Sequence, residues 1–370
     1  MEVYLDHNAS TPVDPEVITL MQSYFSHWYA NPNSPHLFAA EVEEKISQTS
    51  NFLVEFLEAG DGDIIYTSGA TEAINMVLKG YRYEDRKEII TFQTEHKAVL
   101  NTCQYLESQG FIIKYLPVMK NGAIDLDLYQ NSLSEHTLLV CAMYANNETG
   151  VLHPIESMIP MSKSVGAYFC CDITSSIGKI PMQIKGVDFL TFSAHKYYGP
   201  KGIGGVFLRK GLELSPLIHG GSQQNGRRSG TLPVPLIMGM GKAFLLSQIL
   251  RKEEEKRIKS LRDYLESEIL SLPDVYCHGS DTKRIYTTSN ICFKGVSSEE
   301  LILRLKKISV SNGSACSSLV SKPSHVLTAM GVCDTEALSS IRISLGRHNT
   351  EEEINFTIDQ IKKAVRKIRA

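Results

Sequence analysis

Seven short runs rich in β-branched and aromatic residues, separated by helical patterns, constrain this chain more than any other feature. They are DIIYTS (63–68), EIITFQ (88–93), FIIKYLPV (111–118), TLLVCAMYA (137–145), AYFCCDI (167–173), FLTFSA (189–194) and GGVFLR (204–209). Between them lie amphipathic stretches such as TEAINMVLKGY and HKAVLNTCQYLESQ. Near-continuous apolar runs alternating with helices predict an α/β fold, its mostly parallel sheet covered by helices on both faces. In such sheets ligands sit beyond the carboxyl ends of the strands, which is where most of the polar motifs fall.

After residue 209 the pattern changes. Residues 232–272 read as mostly helical. A smaller α+β segment follows: SNICFKG, SSEELILRLKK, a cysteine-bearing loop, SSIRISLGR and a closing helix. Thr350 with Glu353 three residues on predicts a capping box for that last helix. The N-terminal VYLDH strand has no partner upstream and is expected to join this part. The expected division is a large domain over 13–255 and a small domain built from 1–12 and 256–370.

The net charge of −3 gives no reason to expect a nucleic-acid partner. The dense charge run RKEEEKRIK (251–259) mixes signs at helical spacing and reads as a solvated helix face. The N-terminus lacks the basic start and apolar run of a signal peptide, and no apolar run approaches a membrane span. A cytoplasmic protein with no membrane partner is therefore expected. The eight cysteines show no zinc spacing, so no metal is expected, and in a reducing compartment they should be thiols.

Three motifs at strand ends point to one chemistry. Lys196 follows FLTFSA, and Asp172 ends AYFCCDI. Either alone reads as a surface charge. Together they supply what pyridoxal 5'-phosphate needs: an amine for a Schiff base and a carboxylate to keep the pyridine nitrogen protonated. Ser68-Gly69-Ala70-Thr71 runs from strand into helix, where small residues let backbone N–H groups meet a phosphate. His96 and the pair Asn146-Asn147 end two further strands; an imidazole there can stack on a flat ring or move protons. HGGSQQNGRRSGTLP suits a functional loop. Arg342 sits in SSIRISLGR, where it suits a planar carboxylate. Cys316, in VSNGSACSSL, is surrounded by residues too small to bury it.

Taken together, YLDHNASTP, YTSGATEA, TEHKAVL, NNETGV, SAHKYYGPKGIG, RRSGT and GSACSS resemble the NifS/IscS-type cysteine desulfurases. These belong to the class-V branch of fold-type-I pyridoxal-phosphate enzymes, and the motifs keep the family's order over nearly the whole chain. The resemblance implies that Lys196 carries the cofactor, that Asp172 pairs with its ring nitrogen and that His96 stacks on the ring. It implies that Ala70, Thr71, Ser193 and His195 hold the phosphate, and that Thr231 reaches the phosphate of the partner in a homodimer. Asn147 and Arg342 would hold the carboxylate of L-cysteine. Cys316 would be the nucleophile that takes the sulfur as a persulfide, on a long loop whose small residues let it swing out to an acceptor protein. That acceptor could be an iron–sulfur scaffold or a thiolation enzyme. Alternatives are a selenocysteine lyase or other β-lyase, and a weakly active sulfur-transfer subunit. Two departures stand out. Ser175 replaces a Gln that contacts the cofactor's ring oxygen in many relatives, and Gln224 replaces a Glu, removing a charge near the active-site entrance. The chain ends at Ala370, where some relatives carry a tail that contacts a scaffold protein.

Overall fold

A computed structural model describes residues 1–80, 85–182, 184–312 and 322–370. Its centre is a seven-stranded sheet made of β2 (Gly62–Thr67), β3 (Glu88–Phe92), β4 (Ile112–Leu116), β5 (Thr137–Met143), β6 (Tyr168–Asp172), β7 (Phe189–Ser193) and β8 (Gly204–Arg209). All seven runs read from the sequence are these strands. Their order is β2-β8-β7-β6-β5-β3-β4. Only β8 runs against its neighbours; β3, β4, β5, β6 and β7 pair in parallel. β5 is buried along its whole length, as its unbroken apolar run requires. Helices α1 (Pro15–Ser26) and α2 (Leu37–Leu57) precede the sheet in sequence. α3 (Ala70–Gly80), α4 (Lys97–Ser108), α5 (Leu126–Ser132) and α6 (Ile155–Ser164) connect its strands. Buried apolar clusters form on both faces of the sheet.

A further buried cluster lies under an antiparallel sheet of β9 (Val275–Cys277), β10 (Thr288–Phe293) and β12 (Ser340–Ser344). α8 (Ser298–Arg304) and α11 (Glu351–Arg369) pack together in this part. The N-terminal strand β1 (Val3–Tyr4) pairs in parallel with β11 (Ile308–Ser309), and its Val3 and the Leu5 that follows it enter this cluster. So the first residues of the chain complete the part built by its last third. The capping box is formed: Thr350 accepts from the Glu353 amide, and the Glu353 carboxylate accepts from the Thr350 amide.

Helix α7 (Val234–Leu270) joins the two parts. Ile237, Met240 and Phe244 pack into the first core, while Ile258, Leu265 and Ile269 pack into the second. The division expected at residue 255 falls inside this one helix. Contrary to the sequence reading, α7 is long and apolar enough by composition to cross a membrane. Its apolar residues are instead spent on the two cores.

Gly204, at the start of β8, pairs with Ser193 at the end of β7. A Cβ there would stand 2.8 Å from the Gly69 Cα and collide with the Phe192 carbonyl. Glycine is needed to let the turn before α3 lie against the sheet. Gly204→Ala is expected to destabilise the fold by about 1–3 kcal/mol, read as a lowered urea midpoint. An unchanged midpoint would contradict this packing.

Candidate active site

The parallel strands end at one edge, and their ends line a cavity of about 700 Å³. Lys196, on a one-turn 3₁₀ segment just after β7, borders it. Its ammonium donates to the carbonyls of Asn8 and Ala9 (3.0 Å to Ala9), residues contributed by the N-terminus. Burial lowers its pKa to about 8, helped by the Arg342 guanidinium and opposed by Asp172 and Asp6. At pH 7 the amine is therefore mostly protonated, with roughly a tenth neutral.

Asp172 ends β6, directly across from Met143 on β5 and Thr191 on β7. One carboxylate oxygen, Oδ1, accepts from the Thr174 amide (2.9 Å) and hydroxyl. Oδ2 carries no protein hydrogen bond among the described residues, and Asp172 borders the cavity. An anchored carboxylate with one free oxygen is a suitable acceptor for a protonated ring nitrogen.

The cradle sits between β2 and α3. The Ser193 hydroxyl accepts from the Ala70 amide at 2.7 Å, tying the end of β7 to the first turn of α3. Gly69 has φ +152, and a Cβ on it would stand 3.2 Å from Ser193 Oγ. Glu72 accepts from the Ser68 amide (2.7 Å) and is held by Arg228 (3.0 Å). Small residues, a helix N-terminus and the hydroxyls of Thr71 and Ser193 fit a phosphate. His195 stands beside them, its Nδ1 3.3 Å from Ser10 Oγ. Burial, reinforced by Lys196, lowers its pKa to about 4, so it is a neutral ring at pH 7.

His96 caps α4: its Nδ1 accepts from the Ala98 amide at 3.1 Å, leaving Nε2 as the protonated nitrogen of the neutral ring. Desolvation lowers its pKa, Lys196 adds to that, and Asp172 opposes it. Arg342, on β12, is buried, which excludes a surface-strand charge. Its guanidinium donates to the Asn147 carbonyl (3.0 Å) and to Asp6 (2.7 Å), and its Nε has no protein partner among the described residues.

Of the residues expected from sequence, Ala70, Thr71, His96, Asn147, Asp172, Ser175, Ser193, His195, Lys196 and Arg342 all line this one cavity. Thr231 does not; it is exposed on the loop before α7. Cys316 lies outside the described residues. The Ser175 carbonyl accepts from the buried Lys179 at 3.2 Å. Gln224 is not merely a lost charge. Its amide accepts from the Tyr66 N–H (2.7 Å) and donates to the Tyr66 C=O (3.0 Å), capping the free edge of β2. A carboxylate could make only the first bond.

The sequence reading assigned no role to Asn8, Ala9 or Asp6, which hold Lys196 and Arg342. DHNAS is a polar stretch at a strand end, the same signal that marked His96 and Asn147. Among the described residues no group of acidic, His or Cys side chains could hold a metal ion.

The profile of the aminotransferase class-V family matches residues 3–356. The chain belongs to that family. It is 42% identical to the cysteine desulfurase IscS of Pectobacterium carotovorum, over all of this chain and 94% of the relative. Against the IscS of Dictyoglomus turgidum it is 41% identical, covering all of this chain and 95% of the relative. Among solved structures it superposes on a NifS-like protein with a TM-score of 0.90, at 35% identity over 99% of this chain and 100% of the other. A structure described as SspA in complex with cysteine matches at TM-score 0.81 and 33% identity, over 95% of this chain and 100% of the other. The cysteine desulfurases of this class-V family use pyridoxal phosphate, and the residues lining this cavity suit that group.

In the cofactor-free protein, amine labelling of Lys196 should rise through a midpoint near pH 8. Peptide mass spectrometry across pH reads this. Arg342→Gln removes a positive neighbour and should move the midpoint up; Asp172→Asn removes a negative one and should move it down. A midpoint near the ordinary lysine value would contradict the described burial.

Proposed function

We propose that this chain is a pyridoxal-phosphate-dependent L-cysteine desulfurase. It converts L-cysteine to L-alanine and leaves the sulfur as a persulfide on Cys316, from which an acceptor protein takes it. The observation that carries this reading is the pairing, in one buried cavity, of the Lys196 amine with the free oxygen of Asp172. The full-length similarity to proteins named cysteine desulfurase IscS, and to a structure holding cysteine, supports the substrate.

Pyridoxal phosphate bound here supplies a protonated ring that withdraws electrons from the substrate carbons. The chain's own groups do the rest. Asp172 keeps the ring nitrogen protonated through Oδ2. Lys196 would attach the cofactor, and its amine, whose pKa burial lowers to about 8, would be able to hold or move a proton at Nζ. His96 would face the ring and offer the Nε2 proton. Ala70, Thr71, Ser193 and His195 hold the phosphate, and neutral His195 can donate to it. The Asn147 side chain and the Arg342 N–H groups not given to Asp6 and the Asn147 carbonyl receive the substrate carboxylate. Cys316 acts as its thiolate, the nucleophilic form. Ser175 lines the same cavity, and its hydroxyl is shorter than the Gln that the resemblance sets there.

The protein acts as a homodimer in which Thr231 completes the partner's phosphate site. It works in the cytoplasm and passes sulfur to a scaffold for iron–sulfur assembly or to a thiolation enzyme.

Cofactor-loaded protein should release alanine from L-cysteine. Asp172→Asn is expected to lower that rate by about 100-fold or more, a loss typical of removing a group that tunes proton and charge transfer. Cys316→Ala should abolish turnover of L-cysteine. If Cys316→Ala keeps full activity on L-cysteine, the persulfide route is wrong. If the enzyme turns over selenocysteine alone, it is a lyase.

A further inference from the structure

Among the described residues, the carboxylates that border the cavity are those of Asp172 and Glu72. Asp172 is taken up by the ring nitrogen in the reading above. Glu72 lies in the first turn of α3, next to Thr71 of the phosphate cradle. A phosphate ester carries roughly two negative charges at neutral pH. An unmatched carboxylate at this place would oppose it.

The local geometry gives Glu72 a reason to be there. Its Oε2 accepts from the Ser68 amide at 2.7 Å. It closes the turn between β2 and α3 from inside the helix, much as the acid of a capping box does. Gly69, in the same turn, has φ +152, and the Ala70 amide is held by Ser193. The turn is therefore pinned on both sides of Gly69. Burial pushes the Glu72 pKa up, but Arg228 and the Ser68 contacts outweigh it and bring the pKa below its ordinary value. Glu72 is a carboxylate at pH 7.

Arg228 meets that charge. Its Nε stands 3.0 Å from Oε1 and its Nη2 3.5 Å from Oε2. The side chains are 20% and 10% exposed, for Arg228 and Glu72, so salt screens the pair little. Arg228 belongs to the loop between β8 and α7, and that loop is fastened to the same strand. Arg227 pairs with Asp63 at 2.7 Å, and the Gln224 amide holds both main-chain groups of Tyr66. Gln224 and Asn225 take positive φ, 52° and 59°, without being glycine. Such backbone is unfavourable by itself and persists where surrounding contacts hold it. Arg228 Nη1 also donates to the Ser229 carbonyl at 3.1 Å. The loop thus follows β2 from Asp63 through Tyr66 and ends with Arg228 on Glu72, at the start of α3.

We propose that Arg228 is a positioning residue for the cofactor phosphate and acts through Glu72. Glu72 shapes the cradle, and Arg228 cancels the charge that comes with it. This rests on the reading above, that pyridoxal phosphate binds in this cavity with its phosphate at the turn between β2 and α3. Without Arg228 an unpaired carboxylate borders the phosphate site. The loss should then fall on the phosphate and spare the ring.

Equilibrium dialysis of the cofactor-free protein against pyridoxal phosphate and against pyridoxal separates the two. Arg228→Gln should weaken pyridoxal phosphate by about 10-fold or more, as one uncompensated charge nearby predicts, and change pyridoxal by no more than about twofold. The double variant Arg228→Gln/Glu72→Gln has no charge to cancel and keeps an acceptor for the Ser68 amide, so it should bind pyridoxal phosphate within about threefold of the parent. Glu72→Gln alone supplies the test if Arg228→Gln does not fold. Its unpaired guanidinium favours an anion, so pyridoxal phosphate should bind at least as tightly as to the parent. If Arg228→Gln weakens both ligands alike, if the double variant does not recover, or if Glu72→Gln loosens pyridoxal phosphate, Arg228 has no such role. If the parent itself binds pyridoxal as tightly as pyridoxal phosphate, the cradle reading fails, and the role of Arg228 with it.

Discussion

The parallel pairing of β5, β6 and β7 is the constraint on which the rest depends. Met143, Asp172 and Thr191 stand side by side in that register. Because the strands are parallel, every one of their following turns emerges at the same edge. Asn147, Asp172 and Lys196 are therefore neighbours, although 49 residues of chain separate the first from the last. A one-residue slip of β6 would turn Asp172 to the opposite face. The continuous burial of β5 and β7 makes such a slip costly.

The sheet alone does not complete the site. Lys196 is held by the carbonyls of Asn8 and Ala9, and Arg342 by Asp6. These contacts come from the first residues of the chain, which pair with β11 and bridge to Ser344 in β12. α7 runs through both cores and sets their relative position. The Arg347 guanidinium adds ion pairs to Asp14 and Glu254. Charged groups at the junction are thus matched, while Lys179 behind Ser175 is buried with like-charged neighbours, and burial lowers its pKa to about 7.

Much of this was legible in the sequence because each feature leaves a local mark. Unbroken apolar runs mark strands buried on both faces, and Lys196 and Asp172 directly follow or end such runs. The capping box of α11 is likewise written in four residues. What was not legible depends on contacts distant in sequence. Nothing near Asn8 says that its carbonyl meets Lys196, 188 residues away. Gln224 read as a missing charge, since only the fold shows the open edge of β2 that its amide covers. Glu148 drew no reading of its own, because its partner Ser324 lies 176 residues on. Such pairings are set by the meeting of two cores, not by any periodicity in the chain.

The central claim is that Lys196, not another buried amine, carries the cofactor. Lys179 is the natural rival, being buried nearby with a lowered pKa. Borohydride reduction of the protein loaded with pyridoxal phosphate fixes the attachment point, and peptide mass spectrometry locates it. The account predicts a single pyridoxyl group per chain, on Lys196. A group found on Lys179, or no covalent attachment at all, would contradict it.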